Sequence, residues 1–118
     1  KLNFDDNSSI KEKIEDETIY FSDKVKKVHK SLLTKIQDRN FIITDKAVYN
    51  FKNNELKRRI KIEDLKCITV SKLSEQFIIH GSKGEYDYLF VSPERKKIIT
   101  ILQTVYEKSP REYRKQWQ

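Results

Sequence analysis

Between residues 19 and 91 apolar side chains come in short bursts rich in Ile, Val, Phe and Tyr, separated by polar turns. A repeat of roughly eight to twelve residues is the spacing of an antiparallel meander. The pattern predicts strands over 24–30, 38–44, 47–52, 57–62, 67–72, 76–81 and 86–91. Thr44-Asp45-Lys46 makes one tight link, Asn53-Asn54 supplies residues that tolerate positive φ, and both glycines fall in the Gly81–Gly84 loop. Val25 and Val28 break strict alternation, so both face inward only with a bulge at Lys26-Lys27, which would splay the two lysines outward.

After the last strand the period changes. Ile98, Ile101, Leu102 and Val105 recur at helical spacing, Ser92 suits an N-cap, Pro93 the first helical position, and Ser109-Pro110 a stop. Such a helix of about 16 residues would span roughly 24 Å, enough to plug one end of a small barrel. Ahead of the strands, residues 1–18 form an acidic leader in which Ser9 and Glu12 are placed to cap a short helix from Ile10 to about Asp16. Residues 109–118 form a basic, aromatic extension ending in Trp117-Gln118. One domain over 19–108 accounts for the rest, mainly β with a C-terminal α-helix, and seven strands in succession call for a barrel or sandwich.

Charge narrows the function. The chain of 118 residues carries 25 basic and 18 acidic side chains, a net +7. Residues 1–23 hold three lysines against seven acids, so the body behind them is strongly basic. Between Lys24 and Arg39, six cations (Lys24, Lys26, Lys27, Lys30, Lys35 and Arg39) face one acid, Asp38. Such a field points to a phosphate-bearing partner, a membrane surface or a nucleic acid; the aromatic-glycine signature of RNA-binding sheets is missing, which makes nucleic acid the weaker option. Lys57-Arg58-Arg59-Lys61 is either a second basic patch or a solvated strand face that guards a sheet edge, and the second reading is preferred.

Catalysis finds little support. His29 and His80 are the only histidines and Cys67 the only cysteine, too few for a metal centre built on such ligands, and two glycines leave no phosphate-cradling loop. No cofactor or metal is expected. His29 reads as an exposed strand residue, His80 as structural and Cys67 as a small buried hydrophobe. A lone cysteine forms no internal disulfide, which favours a cytoplasmic or nuclear setting, and no run approaches the roughly 18 apolar residues of a membrane span, so contact with a bilayer would be peripheral. The chain begins at Lys1 and reads as a piece of something longer.

Phe21-Ser22-Asp23-Lys24-Val25-Lys26-Lys27-Val28, then Arg39-Asn40-Phe41-Ile42-Ile43-Thr44-Asp45-Lys46-Ala47-Val48-Tyr49, resembles the start of the tail homology 1 domain of class I myosins. Lys57–Leu65, Ile68–Ser71 and Asp87–Phe90 follow in the same order, so the resemblance runs from about Phe21 to Leu102. It implies a pleckstrin-homology-like, seven-stranded barrel capped by a helix. It also implies binding of acidic phospholipids, phosphoinositides above all, by Lys27 in the first strand, Lys35 in the loop and Arg39 opening the second strand, tethering a motor to membrane. This chain departs from the usual basic-x-Arg ending of such sites, with Gln37 two positions before Arg39 and Asp38 between them. Charge-driven attraction survives that departure: at about 1 kcal/mol per cation, the cluster is worth at most roughly 5 kcal/mol, or three to four decades of affinity. The other expectation is a protein-interaction module of a signalling protein, such as a kinase, that uses the same fold without specific lipid binding.

Overall fold

The computed structural model describes residues 14, 16–28, 36–72, 74–81 and 88–108. Seven antiparallel strands form one sheet: β1 (Ile19–Val28), β2 (Ile36–Thr44), β3 (Ala47–Lys52), β4 (Glu55–Lys61), β5 (Leu65–Val70), β6 (Gln76–Gly81) and β7 (Tyr88–Val91). Their order is β4-β3-β2-β1-β7-β6-β5. A 3-10 turn (Ile62–Asp64) joins the two outermost strands, and the helix α1 (Arg95–Glu107) follows β7.

The sheet curls because one face is apolar along its whole width. Phe21, Val25, Phe41, Ile43, Val48, Ile60, Phe77, Ile79 and Phe90 come from six strands yet share one core with Ile98, Leu102 and Val105 of α1. Phe41 sits at its centre, edge-on to Phe21, Phe77 and Phe90 at ring separations of 6.3, 6.3 and 5.1 Å. Losing a ring so placed costs about 3–5 kcal/mol. A second, smaller cluster lies on the outer face of β2–β4, where Ile42, Ala47, Tyr49 and Phe51 are buried together with Ile14. Alternation along β3 therefore assigns Ala47, Tyr49 and Phe51 to the outside and Val48 and Asn50 to the inside.

Strands β2 to β7 lie within two residues of where the pattern put them, and four further differences stand out. β1 begins at Ile19 rather than residue 24. Its pairing with β2 is regular from Phe21 to Val28 and slips between Ile19 and Phe21, so the bulge expected at Lys26-Lys27 is absent. Val28 is buried on the outer face instead, since an unbroken ladder puts residues 25 and 28 on opposite sides of β1. Third, α1 starts at Arg95, two residues after Pro93. Ser92 still prepares it: its Oγ accepts from the Glu94 amide at 3.0 Å and its carbonyl from the Arg95 amide at 3.2 Å. Fourth, Cys67 is half-buried rather than buried. Asn53 takes φ 55° in the β3–β4 hairpin, as its turn chemistry requires.

Topology gives the curled sheet two unlike ends. The end carrying the β2–β3 turn and the 3-10 turn receives α1, which packs on β1, β2 and that turn. Arg95 secures it, donating to the carbonyls of Ser71, Ser74 and Gln76 in the β5–β6 connection. The opposite end, where β1 finishes, β2 starts and the β3–β4 hairpin turns, is the mouth. The leader helix (except Ile14 and Asp16, which lie in turns), His29, Lys30, Lys35 and the 109–118 extension with Trp117 lie outside the described residues.

Candidate functional site

The regular β1–β2 ladder sorts the predicted cations by face. Lys27 shares the face of Phe21 and Val25, and Arg39 that of Phe41, so both point to the inside of the mouth. Lys24 and Lys26 point outward, where Lys26 pairs with Asp38 across the strands at the exposed surface. That contact, reinforced by Lys24, holds the Asp38 carboxyl below its usual range: the Lys26 hydrogen bond contributes most and its charge next. Of the four described members of the predicted cluster, two therefore converge and two do not.

Inside the mouth the cations keep neutral company. Arg39 is 7% exposed, and its guanidinium donates through Nη2 to Gln37 Oε1 at 2.6 Å and through Nη1 to the Asp38 carbonyl at 3.0 Å. Burial lowers its pKa, although a guanidinium keeps its proton at any physiological pH. The Lys27 ammonium lies 6.0 Å from the centre of the Tyr88 ring. Its pKa is lowered too, first by burial and then by the charge of Arg39. Two cations that each disfavour their own charge mark a place that an anion would stabilise.

β4 adds a third. A slip in the β3–β4 ladder sets Phe51 against Leu56 but Asn50 against Arg58, which turns Arg58 inward. Its guanidinium lies 5.9 Å from the Tyr88 ring centre and its Nε donates to the Tyr88 hydroxyl, across the mouth from β4 to β7. Arg58 is thus no part of a solvated edge, and only the slip, which a run of Lys and Arg conceals, decides this. Arg59, the next residue, faces out. It stacks on Tyr49 at 5.5 Å, donates to the Tyr49 hydroxyl at 3.0 Å and meets Glu17 at 3.4 Å.

Asn50 completes the inner layer. The sequence reading passed over it, yet a lone amide within Ala47-Val48-Tyr49-Asn50-Phe51 is a signal, since one polar residue in a strand buried on both faces has to face something. A groove of about 470 Å³ lies elsewhere, lined by Ile19 to Asp23 with Glu94 and Lys97; its two carboxylates against one lysine suit an anion poorly. Among the described residues no three metal-ligating side chains converge, and no helix is long and apolar enough to cross a membrane.

Seven antiparallel strands with a helix across one end and cations at the other define a pleckstrin-homology-like domain, and solved structures agree. The C-terminal pleckstrin-homology domain of pleckstrin in complex with D-myo-Ins(1,2,3,5,6)P5 is similar at TM-score 0.62 and 17% identity, over 75% of this chain and 96% of that one. The Slm1 pleckstrin-homology domain in complex with inositol-4-phosphate is similar at TM-score 0.60 and 10% identity, over 79% and 98%. The DH/PH fragment of human ARHGEF11, from its ternary complex with human RhoA and an inhibitor, matches at TM-score 0.66 and 9% identity; the match covers 79% of this chain and only 30% of that one. No curated protein sequence matches significantly. The model of the unconventional myosin tail, described as actin- and lipid-binding, matches residues 2–116, and the chain belongs to that family.

Proposed function

We propose that this domain is a peripheral membrane-binding module that recognises acidic phospholipids, phosphoinositides among them, with the mouth formed by β1, β2, β4 and β7 turned toward the bilayer. The observation that carries this reading is the pair Lys27 and Arg39, held on one inner face with neutral partners and with the charge of Arg39 pressing on Lys27. Membership of a family described as lipid-binding supports it, as does the likeness to domains solved with inositol phosphates. Outward Lys24 adds to the field that draws the domain to an anionic leaflet. The domain works by binding rather than catalysis, and it would carry the longer protein it belongs to onto the membrane-associated cytoskeleton.

Vesicle cosedimentation tests this. Vesicles with phosphatidylserine or phosphoinositide should sediment the domain, neutral phosphatidylcholine vesicles should not, and Lys27→Glu with Arg39→Glu should abolish the difference. Equal binding to neutral and acidic vesicles would remove the proposal.

A further inference from the structure

We propose that Asn50 is the residue that makes this mouth selective, by reading a hydroxyl together with a phosphate on the headgroup. The inference rests on the membrane-binding reading above and adds to it the source of discrimination that Gln37 fails to supply.

Asn50 lies in β3 between Tyr49 and Phe51, both committed to the outer cluster, so its carboxamide points inward, opposite Arg58 in β4 and Phe41 in β2. It is 4% exposed, and neither its Nδ2 nor its Oδ1 has a hydrogen-bond partner among the described residues. Arg39 Nε, two residues along the neighbouring strand from Phe41, is in the same condition. Unpaired buried polar atoms destabilise a fold, and a leucine, with the same branched four-atom side chain, would relieve the penalty at position 50. The inner layer therefore holds unspent hydrogen-bonding capacity in two adjacent strands, next to Lys27 and Arg58.

The kind of capacity specifies the ligand. Asn50 Nδ2 and Arg39 Nε are donors, which a phosphate oxygen satisfies. Asn50 Oδ1 only accepts, and a phosphate dianion has nothing to give it. A ring that carries a hydroxyl beside a phosphate satisfies both ends of the amide, whereas phosphatidylserine offers an ammonium that Lys27 and Arg39 repel. Gln37 then has a positive part: by accepting from Arg39 Nη2 while the Asp38 carbonyl accepts from Nη1, it fixes the guanidinium with its Nε, the nitrogen that has no partner among the described residues, free to donate.

The test titrates the unaltered domain and Asn50→Leu against phosphatidylcholine vesicles containing either phosphatidylinositol bisphosphate or phosphatidylserine at matched charge. The unaltered domain should prefer the phosphoinositide. Asn50→Leu should lose on the order of tenfold of that preference, bind phosphatidylserine within about twofold of the unaltered domain, and melt no lower. Full preference in Asn50→Leu, or an equal loss on both vesicles, would overturn the assignment. Should the leucine fail to fold, Asn50→Ser with soluble inositol trisphosphate replaces it, and a thermal shift equal to that of the unaltered domain overturns the assignment as well. Binding to both vesicles by charge alone, without preference, leaves the membrane reading standing and refutes this one; binding to neither refutes both.

Discussion

Arg58 and Arg59 are neighbours in β4, each stacked on a tyrosine and each hydrogen-bonded to that tyrosine's hydroxyl, yet their surroundings are opposite. On the outer face Glu17 completes the arrangement: its carboxylate accepts from Tyr49 at 2.8 Å and from Thr44 at 2.6 Å as well as meeting Arg59. Burial works against the Arg59 charge, but the Tyr49 bond and the Glu17 carboxylate outweigh it and raise its pKa. In the mouth, burial and mutual repulsion lower Lys27, and burial lowers Arg39. The outer arginine belongs to a structural latch between the leader and the sheet that contains a carboxylate, while on the inner face burial works against the charges of Lys27 and Arg39. A positive side chain on this fold is informative only once its face is known.

That contrast can be broken most directly by charge reversal. Changing Lys27 and Arg39 to Glu moves four unit charges, so affinity for acidic vesicles should fall by roughly three decades at about 1 kcal/mol each. Lys26→Glu, on the outer face, moves two unit charges and should cost about thirtyfold at most in the same titration. If the outer reversal hurts as much as the inner pair, the division between faces is wrong.

The latch should answer in stability instead. Glu17→Ala removes the carboxylate that accepts from the Tyr49 and Thr44 hydroxyls and pairs with Arg59, and denaturant unfolding should register a loss of about 2 kcal/mol, with vesicle binding kept to within a factor of two. A third comparison sets the two against each other: Lys27→Met should raise the melting temperature while weakening binding. Because the folded pKa of Lys27 lies below its ordinary value of 10.5, the unaltered protein gains stability as pH rises through the interval between the two, and Lys27→Met should lack that gain in a pH series of melting curves.

The smallest expected effect is alkaline. The Tyr49 pKa is raised, by burial first and by Glu17 next, against the lowering pull of Arg59. Its contribution is complete below pH 10.0 and is lost as pH climbs through the folded value, so Tyr49→Phe should flatten the alkaline limb of the stability profile.

How far the sequence carried these conclusions depended on where its periodicity was unbroken. β2 and β3 were legible because apolar runs were bounded by Thr44-Asp45-Lys46 and Asn53-Asn54, and β6 because its run ends at Gly81. β1 was not, since its outer face mixes exposed Lys24 and Lys26 with buried Ser22 and Val28, so Val25 and Val28 are both buried yet serve different sides. Of the site, Lys27 and Arg39 were readable as cations of the first two strands. Arg58 was not, because the slip in the β3–β4 ladder fixes which members of a charged run turn inward and no single strand encodes a slip; Asn50 was readable from the alternation of β3 but was passed over.

The dual pairing of β1 carries a last consequence, for timing. Strands β1 to β4 form a meander of near neighbours, but the partner that closes over Lys27 is Phe90, more than sixty positions downstream. A chain still emerging from the ribosome can assemble Arg39, Asn50 and Arg58 on a half-built sheet, but it lacks Tyr88, which crosses to Arg58. The Arg58–Tyr88 crossing and the second partner of β1 therefore form only once β7 has been made, and an unfinished copy lacks both.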